Sequence, residues 1–538
     1  LVGGAAEDVD IPTAVTIATA SNVGTGTEGE TKSLGFVQYY TFDNNATQIY
    51  INFYEDYHQY SVYASDLTQP VEPIYTYTNG SAGYQATQKV FLNSMVWDTN
   101  NWIHNSDRIF PEIKYSIGQL TTVYLDHWNK ANVLQMMTEN NNLNVIVRGE
   151  TAEGSGVYVD VDISSLQGTY TLSGFSGTIS GLTDPQYYTD TSGITGETKA
   201  RQVRLIISSS LFAATSAGFT MDNVHIQVGG GDADRGNNDP IAVEGGIISQ
   251  GSMETATLNN ITLFINKPIS VNSRIIGGNQ FAAGLIAPSI DGTSIESLTF
   301  DLTGLSNLSK DTTIMSVDAT KVTEEPELYA GWIAGYAEQT SNTTPMNIYN
   351  VRINATEEAS FTAISFLNAE NSTAKSANIG LFFGAISKDS SNQQNTIIRV
   401  AECNISFIVP NDLSIDINAS NLVITDSSDS SVNLGGFVGN VEGLNSLTLL
   451  ADAKVTSTLN LTAPAPGKTG NLGATLNIGG MFGSVGGNST RISTAQSGGE
   501  SETPEITLEV SISGDGDEHN NVYLGGVAGR SSRALPIK

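Results

Sequence analysis

Leu434-Gly435-Gly436-Phe437-Val438-Gly439-Asn440 is the stretch on which the reading of this chain turns. Glycines bracket an apolar pair. Near-copies follow at Ile478-Gly479-Gly480-Met481-Phe482-Gly483-Ser484 and Leu524-Gly525-Gly526-Val527-Ala528-Gly529-Arg530, so that the second glycine advances by 44 and then 46 residues. A phosphate loop of the Walker type carries a Lys and opens a helix, and this stretch lacks the Lys and sits between strand-like runs. A unit that returns at such a period belongs to a stack of similar structural pieces rather than to the single cleft of a globular enzyme. Glycine permits positive φ and lets two backbones approach with no Cβ between them. The apolar pair therefore reads as a short buried strand between two sharp turns.

Upstream, the same element recurs at Gly246, Gly284, Gly331 and Gly380, before Gly436, Gly480 and Gly526, in steps of 38, 47, 49, 56, 44 and 46 residues. Each glycine element is accompanied by a run with apolar residues at alternate positions: 220–226, 258–264, 295–301, 348–353, 397–400, 447–450 and 506–510. Asn223, Asn260 and Ser297 stand at equal intervals of 37 residues. Drift in the period is what surface-loop insertions produce when every repeat keeps its core strands.

The motif resembles the GLUG repeat, a Gly-Gly-apolar-apolar-Gly unit found in tandem in large bacterial and protist cell-surface proteins. The match is best at the three copies quoted above. It weakens at Ala283-Gly284-Leu285-Ile286-Ala287 and Ala330-Gly331-Trp332-Ile333-Ala334, where Ala replaces flanking glycines, and at Gly380-Leu381-Phe382-Phe383, which lacks the first glycine. The resemblance covers roughly residues 210–538. It implies a β-solenoid stalk in an adhesin or other surface protein, and it brings no catalytic residues.

Residues 1–208 have a different texture. Three of the four Trp (Trp97, Trp102, Trp128) and twelve of the twenty Tyr fall before residue 130. Strand-like alternation runs through 48–54, 59–63, 143–147, 158–163 and 203–207, with turn clusters between. One helix is expected over 124–139, with Leu125, Trp128, Val133, Leu134, Met136 and Met137 on its apolar face. The expected fold is all-β: an aromatic-rich β-sandwich or jelly-roll-like region over 1–208, with a break near 140 that allows two subdomains, followed by a Gly-rich β-solenoid over 209–538.

Composition narrows the function classes. Only 15% of the 538 residues are charged, and the chain holds 54 Gly, a profile of short strands and turns rather than long charged helices. With 39% hydrophobic residues it has enough apolar surface to fold. A net charge of -31 repels phosphate backbones and anionic lipid, which excludes nucleic acid as a partner and favours cations. Cys403 is the only cysteine, so no internal disulfide forms, and it reads as a small core residue. No apolar run reaches the roughly 18–20 residues of a membrane span. A start at Leu1 without a leader-like segment is what a mature secreted product or a fragment shows.

Few residue patterns carry chemistry. Leu1-Val2-Gly3-Gly4 looks like the activated N-terminus of trypsin-like proteases, yet the chain has no Gly-Asp-Ser-Gly-Gly loop. None of His58, His104, His127, His225 and His519 forms a His-Glu-x-x-His pair, and His225 alternates with apolar residues as a structural histidine does. The loop Gly231-Asp232-Ala233-Asp234-Arg235-Gly236-Asn237-Asn238-Asp239 is the better candidate. Calcium takes six to eight hard oxygens, and Asp232, Asp234, Asn238 and Asp239 supply them at short spacing, although Gly236 stands where a ligand belongs. A second acidic loop runs over Asp515, Asp517 and Glu518. Asp160 and Asp162, on one side of a strand, raise a polysaccharide-cleaving alternative, and the Trp/Tyr-rich region a glycan-binding one.

Eleven Asn-x-Ser/Thr sequons occur, at Asn45, Asn79, Asn260, Asn307, Asn342, Asn354, Asn371, Asn404, Asn418, Asn460 and Asn488, close to what composition alone yields; in a eukaryote they are glycosylation acceptors. The sequence thus points to an extracellular, structural or adhesive protein with no catalytic site and no required cofactor beyond calcium. Its copies are expected to associate head to tail into a filament through an open β edge.

Overall fold

A computed structural model describes most of residues 141–532. Outside its description lie 148–157, 182–201, 214–215, 232, 234–238, 306–307, 319–324, 340–345, 357–358, 368–372, 389–402, 409–412, 426, 443–446, 452–456, 464–473, 487–491, 495–505 and 513–520; before residue 141 it describes only the strands and the helix named below. The chain is all-β, with one α-helix among the described residues. It divides into two compact units, residues 1–159 with 182–203, and residues 160–181 with 204–538.

In the first unit, Ala14–Ala20, Gly35–Thr41 and Thr47–Phe53 form an antiparallel sheet with Gly35–Thr41 in the middle. Three further antiparallel pairs join Val23–Gly24 to Thr31–Lys32, His58–Tyr63 to Glu72–Tyr77, and Met95–Asn105 to Arg108–Tyr115, the last with a register shift between Asp98 and Trp102. Thr122–Leu125 and Asn144–Val147 run parallel and are linked across the helix Lys130–Glu139. A parallel pair needs such a crossover. The helix buries Val133, Leu134, Met136 and Met137, alongside Leu125, Val145 and Val147 from the two strands. It begins later than the sequence suggests: Thr122-Val123-Tyr124-Leu125, β-branched and aromatic, form a strand instead.

The second unit is built on repetition. From Thr257–Ile265 in a first sheet the chain passes to Ile269–Asn272 in a second, Gln280–Gly284 in a third and Ala287–Asp291 in a fourth, then returns to the first at Ser294–Asp301. The next circuit follows the same order through Thr313–Asp318, Glu327–Gly331, Ala334–Gln339 and Ile348–Asn354. Every strand pairs in parallel with its counterpart one circuit on. An exception in this set is the short hairpin that places Arg274–Gly277 antiparallel against Gln280–Gly284 at the edge of the third sheet.

Register stacks like on like. Met221, Leu258, Ile295 and Ile348 follow one another across the first sheet; Ile269, Met315, Ile364, Ile417 and Leu461 across the second; Ala283, Ala330, Ile379, Leu434 and Ile478 across the third. All of these are buried. Each large side chain so covered contributes about 1.5–3 kcal/mol relative to exposure. Trp332 fills the interior where it stacks on Phe361 and leans on Phe300, and its Nε1 donates to the Ala363 carbonyl at 3.0 Å.

The glycine element is the join between the third and fourth sheets. Gly284, Gly435, Gly479 and Gly525 end third-sheet strands, and the two residues after each form a bend before the fourth-sheet strand starts. Leu285-Ile286 is therefore a buried corner rather than the short strand expected, whereas in the later copies the bend takes the second glycine and the first apolar residue, and Val438, Phe482 and Ala528 already open fourth-sheet strands. At Gly435 a Cβ would strike the carbonyl oxygen of Val438, with the Gly483 nitrogen at 2.7 Å, so no larger residue fits. Register aligns Gly380 with Gly435, one residue earlier than the Gly380 to Gly436 step read from spacing.

Three further details depart from the sequence reading. The run 220–226 is broken at Asn223, which has φ 54. The run 397–400 lies outside the described residues, and the strand that pairs with Ile348–Asn354 is Cys403–Ile408. Ile506–Ile512 belongs to the second sheet, beside Ser457–Ala463, and not to the first, where Ile492–Thr494 takes that place.

Candidate functional site

Polar residues collect in three places in the second unit. The first is a ladder between the third and fourth sheets. Asn378, Asn433 and Asn477 occupy one register column, buried at 4%, 6% and 3% exposure. Asn433 Nδ2 donates to Asn378 Oδ1 at 2.7 Å, and Asn477 Nδ2 to Asn433 Oδ1 at 2.7 Å. Asn433 and Asn477 each bridge to the circuit before, which offsets much of the cost of burying these amides. The ladder stops at Asn477, whose Oδ1 is buried without a hydrogen-bond partner, because the column continues with Tyr523. Below Asn378 the column holds Tyr329, T-shaped against Tyr336 at 5.1 Å. Tyr329 donates its hydroxyl to Glu327 Oε2 at 2.9 Å. Burial first, and then the Glu327 charge, push the Tyr329 phenol well above its ordinary range. Tyr336 is pushed up as well, chiefly by burial, although its Ser387 hydrogen bond opposes the shift.

The second is a kink column on the first sheet. Asn223, Asn260, Ser297 and Asn350 all have left-handed backbones, with φ between 50 and 60. Asn tolerates that region better than most residues because its short amide bonds locally. Here Asn260 Nδ2 donates to Asn223 Oδ1 at 2.7 Å, and Asn350 Nδ2 to Ser297 Oγ at 3.2 Å. The equal spacing of 37 residues was the sequence trace of this column.

The third lies on the outer face of the first sheet. Arg204 forms a bidentate pair with Asp160, at 2.8 and 2.9 Å, and its guanidinium lies over the Phe264 ring at 5.5 Å. His225 is in register beside Arg204, only 4% exposed, with its ring 6.3 Å from Phe264. Burial, and then the Arg204 charge, hold the His225 imidazole below its ordinary value of 6.5. Asp162 is spent differently, accepting from the Ser164 backbone at 2.9 Å. Asp160 and Asp162 thus face separate partners, and Asp160 commits both oxygens to an arginine.

The acidic loop begins against this face. Gly231 is packed on Ser164, Asp162 and Ile206, and the Ala233 nitrogen donates to Ser164 Oγ at 3.2 Å. Asp239 is exposed; Asp232, Asp234 and Asn238 lie outside the described residues, as does the second acidic loop. Among the described residues no group of three or more His, Cys, Asp or Glu is arranged to hold a metal ion. No helix of the described residues is long and apolar enough to cross a membrane.

Four sequons can be placed with their side chains. Asn260 and Asn354 are exposed, and both spend Nδ2 within the fold, Asn354 on Asp301 at 2.9 Å. Asn460 donates to Asp416 and Ser414. At Asn418 the amide oxygen is used instead, accepting from the Ser420 nitrogen and hydroxyl at 3.0 and 2.7 Å. Asn404 lies in a strand without a described side chain, and Asn45, Asn79, Asn307, Asn342, Asn371 and Asn488 lie outside the described residues. Of the repeat glycines, Gly246, Gly284, Gly331, Gly380 and Gly436 are walled by the backbone of other strands; Gly480 is buried; Gly526 faces open space.

No family model, no curated protein and no solved structure matches the chain.

Proposed function

We propose that this is an extracellular structural and adhesive protein of the cell surface. Residues 209–538 act as a β-solenoid stalk of the GLUG-repeat kind behind an aromatic-rich, sandwich-like region, and copies associate head to tail into a filament. The observation that carries the reading is the recurring parallel register, which resumes after shifts between Ile348 and Val351 and between Thr362 and Ile364. From Thr257 to Gly525, buried apolar and amide columns pass from circuit to circuit in four parallel sheets, so that successive circuits serve chiefly to cover one another.

Association is supported by the edge of the last described circuit. Tyr523 and Leu524 are 42% and 60% exposed, whereas their partners one circuit earlier, Asn477 and Ile478, are 3% and 0% exposed. Such an edge is a template for another strand, supplied by further chain or by another copy. Electron microscopy and sedimentation of residues 1–538 test it. Fibres or concentration-dependent oligomers are expected, weakened by Leu524→Asp at the exposed edge, with circular dichroism confirming that the variant keeps its fold. Monodisperse monomer at high concentration refutes it. The loop with Asp232, Asp234, Asn238 and Asp239 is proposed to bind calcium; a calcium titration by calorimetry that shows no binding removes that part.

A further inference from the structure

We infer that His225, buried in register beside Arg204 of the Arg204–Asp160 pair, is an acid-sensitive latch that holds the first circuits of the second unit and the start of the acidic loop in place. Three strands define the contact. Arg204 precedes His225 in the parallel register, and Thr262 follows it. Thr299 and Arg352 continue the same column two and three strands further on. The charged groups facing His225 are therefore Arg204 and, through it, Asp160 on one side. On the other, the immediate neighbour is the uncharged Thr262, with Arg352 beyond. On its own strand Asp222 lies three residues back, across the Asn223 kink, where Asn259 Nδ2 already donates to it at 2.7 Å.

A proton added to His225 places a second cation beside Arg204 on a ring that is itself shielded from water. Asp160 already has both oxygens on Arg204. The strain falls where the acidic loop is anchored. His225–Val228 runs directly into Gly229-Gly230-Gly231; buried Gln227 Nε2 donates to the Gly229 carbonyl at 2.8 Å, and the Gly229 nitrogen donates to the Ile207 carbonyl at 2.9 Å. Loosening His225–Val228 from Arg204–Ile207 therefore releases Gly229–Gly231 as well.

The direction in pH follows. The folded chain keeps His225 neutral to lower pH than the unfolded chain does. Below about 6.5 the open state takes up the proton first, so the latch is at full strength above that value and weakens as pH falls towards the lowered folded value. One proton of linkage gives up to about a tenfold rise in the local opening constant per pH unit within that window.

Hydrogen exchange of the whole chain between pH 7.5 and 5, corrected for intrinsic exchange rates, tests this. Protection at Ile226–Val228 and Gly229–Gly231 is expected to fall by up to about tenfold per unit below pH 6.5, while protection at Ile478 and Phe482 stays constant. His225→Gln is expected to abolish the local fall. Should that variant not fold, Arg204→Gln and a histidine-labelled titration of the unmodified chain replace it. The His225 resonance is then expected to titrate below the ordinary histidine value of 6.5 and to move up in the Arg204 variant. Constant protection across the range, an equal fall in His225→Gln, or a His225 titration unchanged by Arg204→Gln overturns the inference.

Discussion

Replacing Gly436 and Gly526 by Ala, one at a time, isolates what one circuit contributes to the next. The two glycines hold equivalent places: the Gly436 nitrogen donates to the Gly479 carbonyl, as the Gly480 nitrogen does to Gly525 one circuit on. A Cβ at Gly436 would collide with the Gly480 carbonyl and stand 2.7 Å from Leu459 Cδ1, whereas a Cβ at Gly526 meets no heavy atom within 4 Å. The carbonyl belongs to the Gly480 bend, whose nitrogen is tied to the Gly525 carbonyl, so relief requires shifting backbone, and overpacking of this kind costs about 1–3 kcal/mol. Both substitutions also stiffen the unfolded chain, which stabilises by about 0.4–1 kcal/mol. That term cancels in the difference between the variants. Urea denaturation followed by far-ultraviolet circular dichroism should therefore show Gly436→Ala less stable than Gly526→Ala by about 1–3 kcal/mol, with Gly526→Ala at or slightly above the unmodified chain. Equal midpoints for the two variants would refute the claim that stacked circuits, and not local turn geometry, require the second glycine.

Asn433→Leu should cost about 1–3 kcal/mol for each amide group it strands, with Asn378 Oδ1 losing its donor and Asn477 Nδ2 its acceptor; the same denaturation series reads the loss. Tyr523→Asn gives the unpartnered Asn477 Oδ1 a donor and should stabilise by about 0.5–1.5 kcal/mol, seen as slower exchange at Asn477 and Ile478. Asn260→Ala, at φ 50, should destabilise by about 1–2 kcal/mol, and Asn260→Gly by clearly less, in thermal melts of the two variants.

Much of this was visible in the residues. The interval of 37 between Asn223, Asn260 and Ser297 is the true circuit length there, since Thr257 pairs with Ser294 and Asn260 bonds to Asn223. What the interval did not reveal was its cause, a left-handed backbone column, because Asn and Ser are equally common in ordinary turns. The acidic loop was visible as composition. Its anchoring on Ser164, 69 residues away in the chain, was not. Asp160 and Asp162 looked alike on one strand, and what separates them is Asp160's partner 44 residues away, Arg204, while Asp162 serves the local Ser164 turn.

By itself the sequence determined the all-β class, the repeat and the glycine corners, because each rests on local chemistry: alternate apolar residues face one side of a strand, and crowded backbone excludes a Cβ. Tertiary structure alone decided which sheet each strand joins. Strands of all the sheets share the same two-residue alternation, so 506–512 is indistinguishable by pattern from a first-sheet strand until Ser457–Ala463 lies beside it. It decided the asparagine ladder for the same reason. The Asn433 amide is tolerable in the interior because Asn378 and Asn477 stand one circuit away on either side in register, and that proximity is created by stacking rather than by neighbours in the chain.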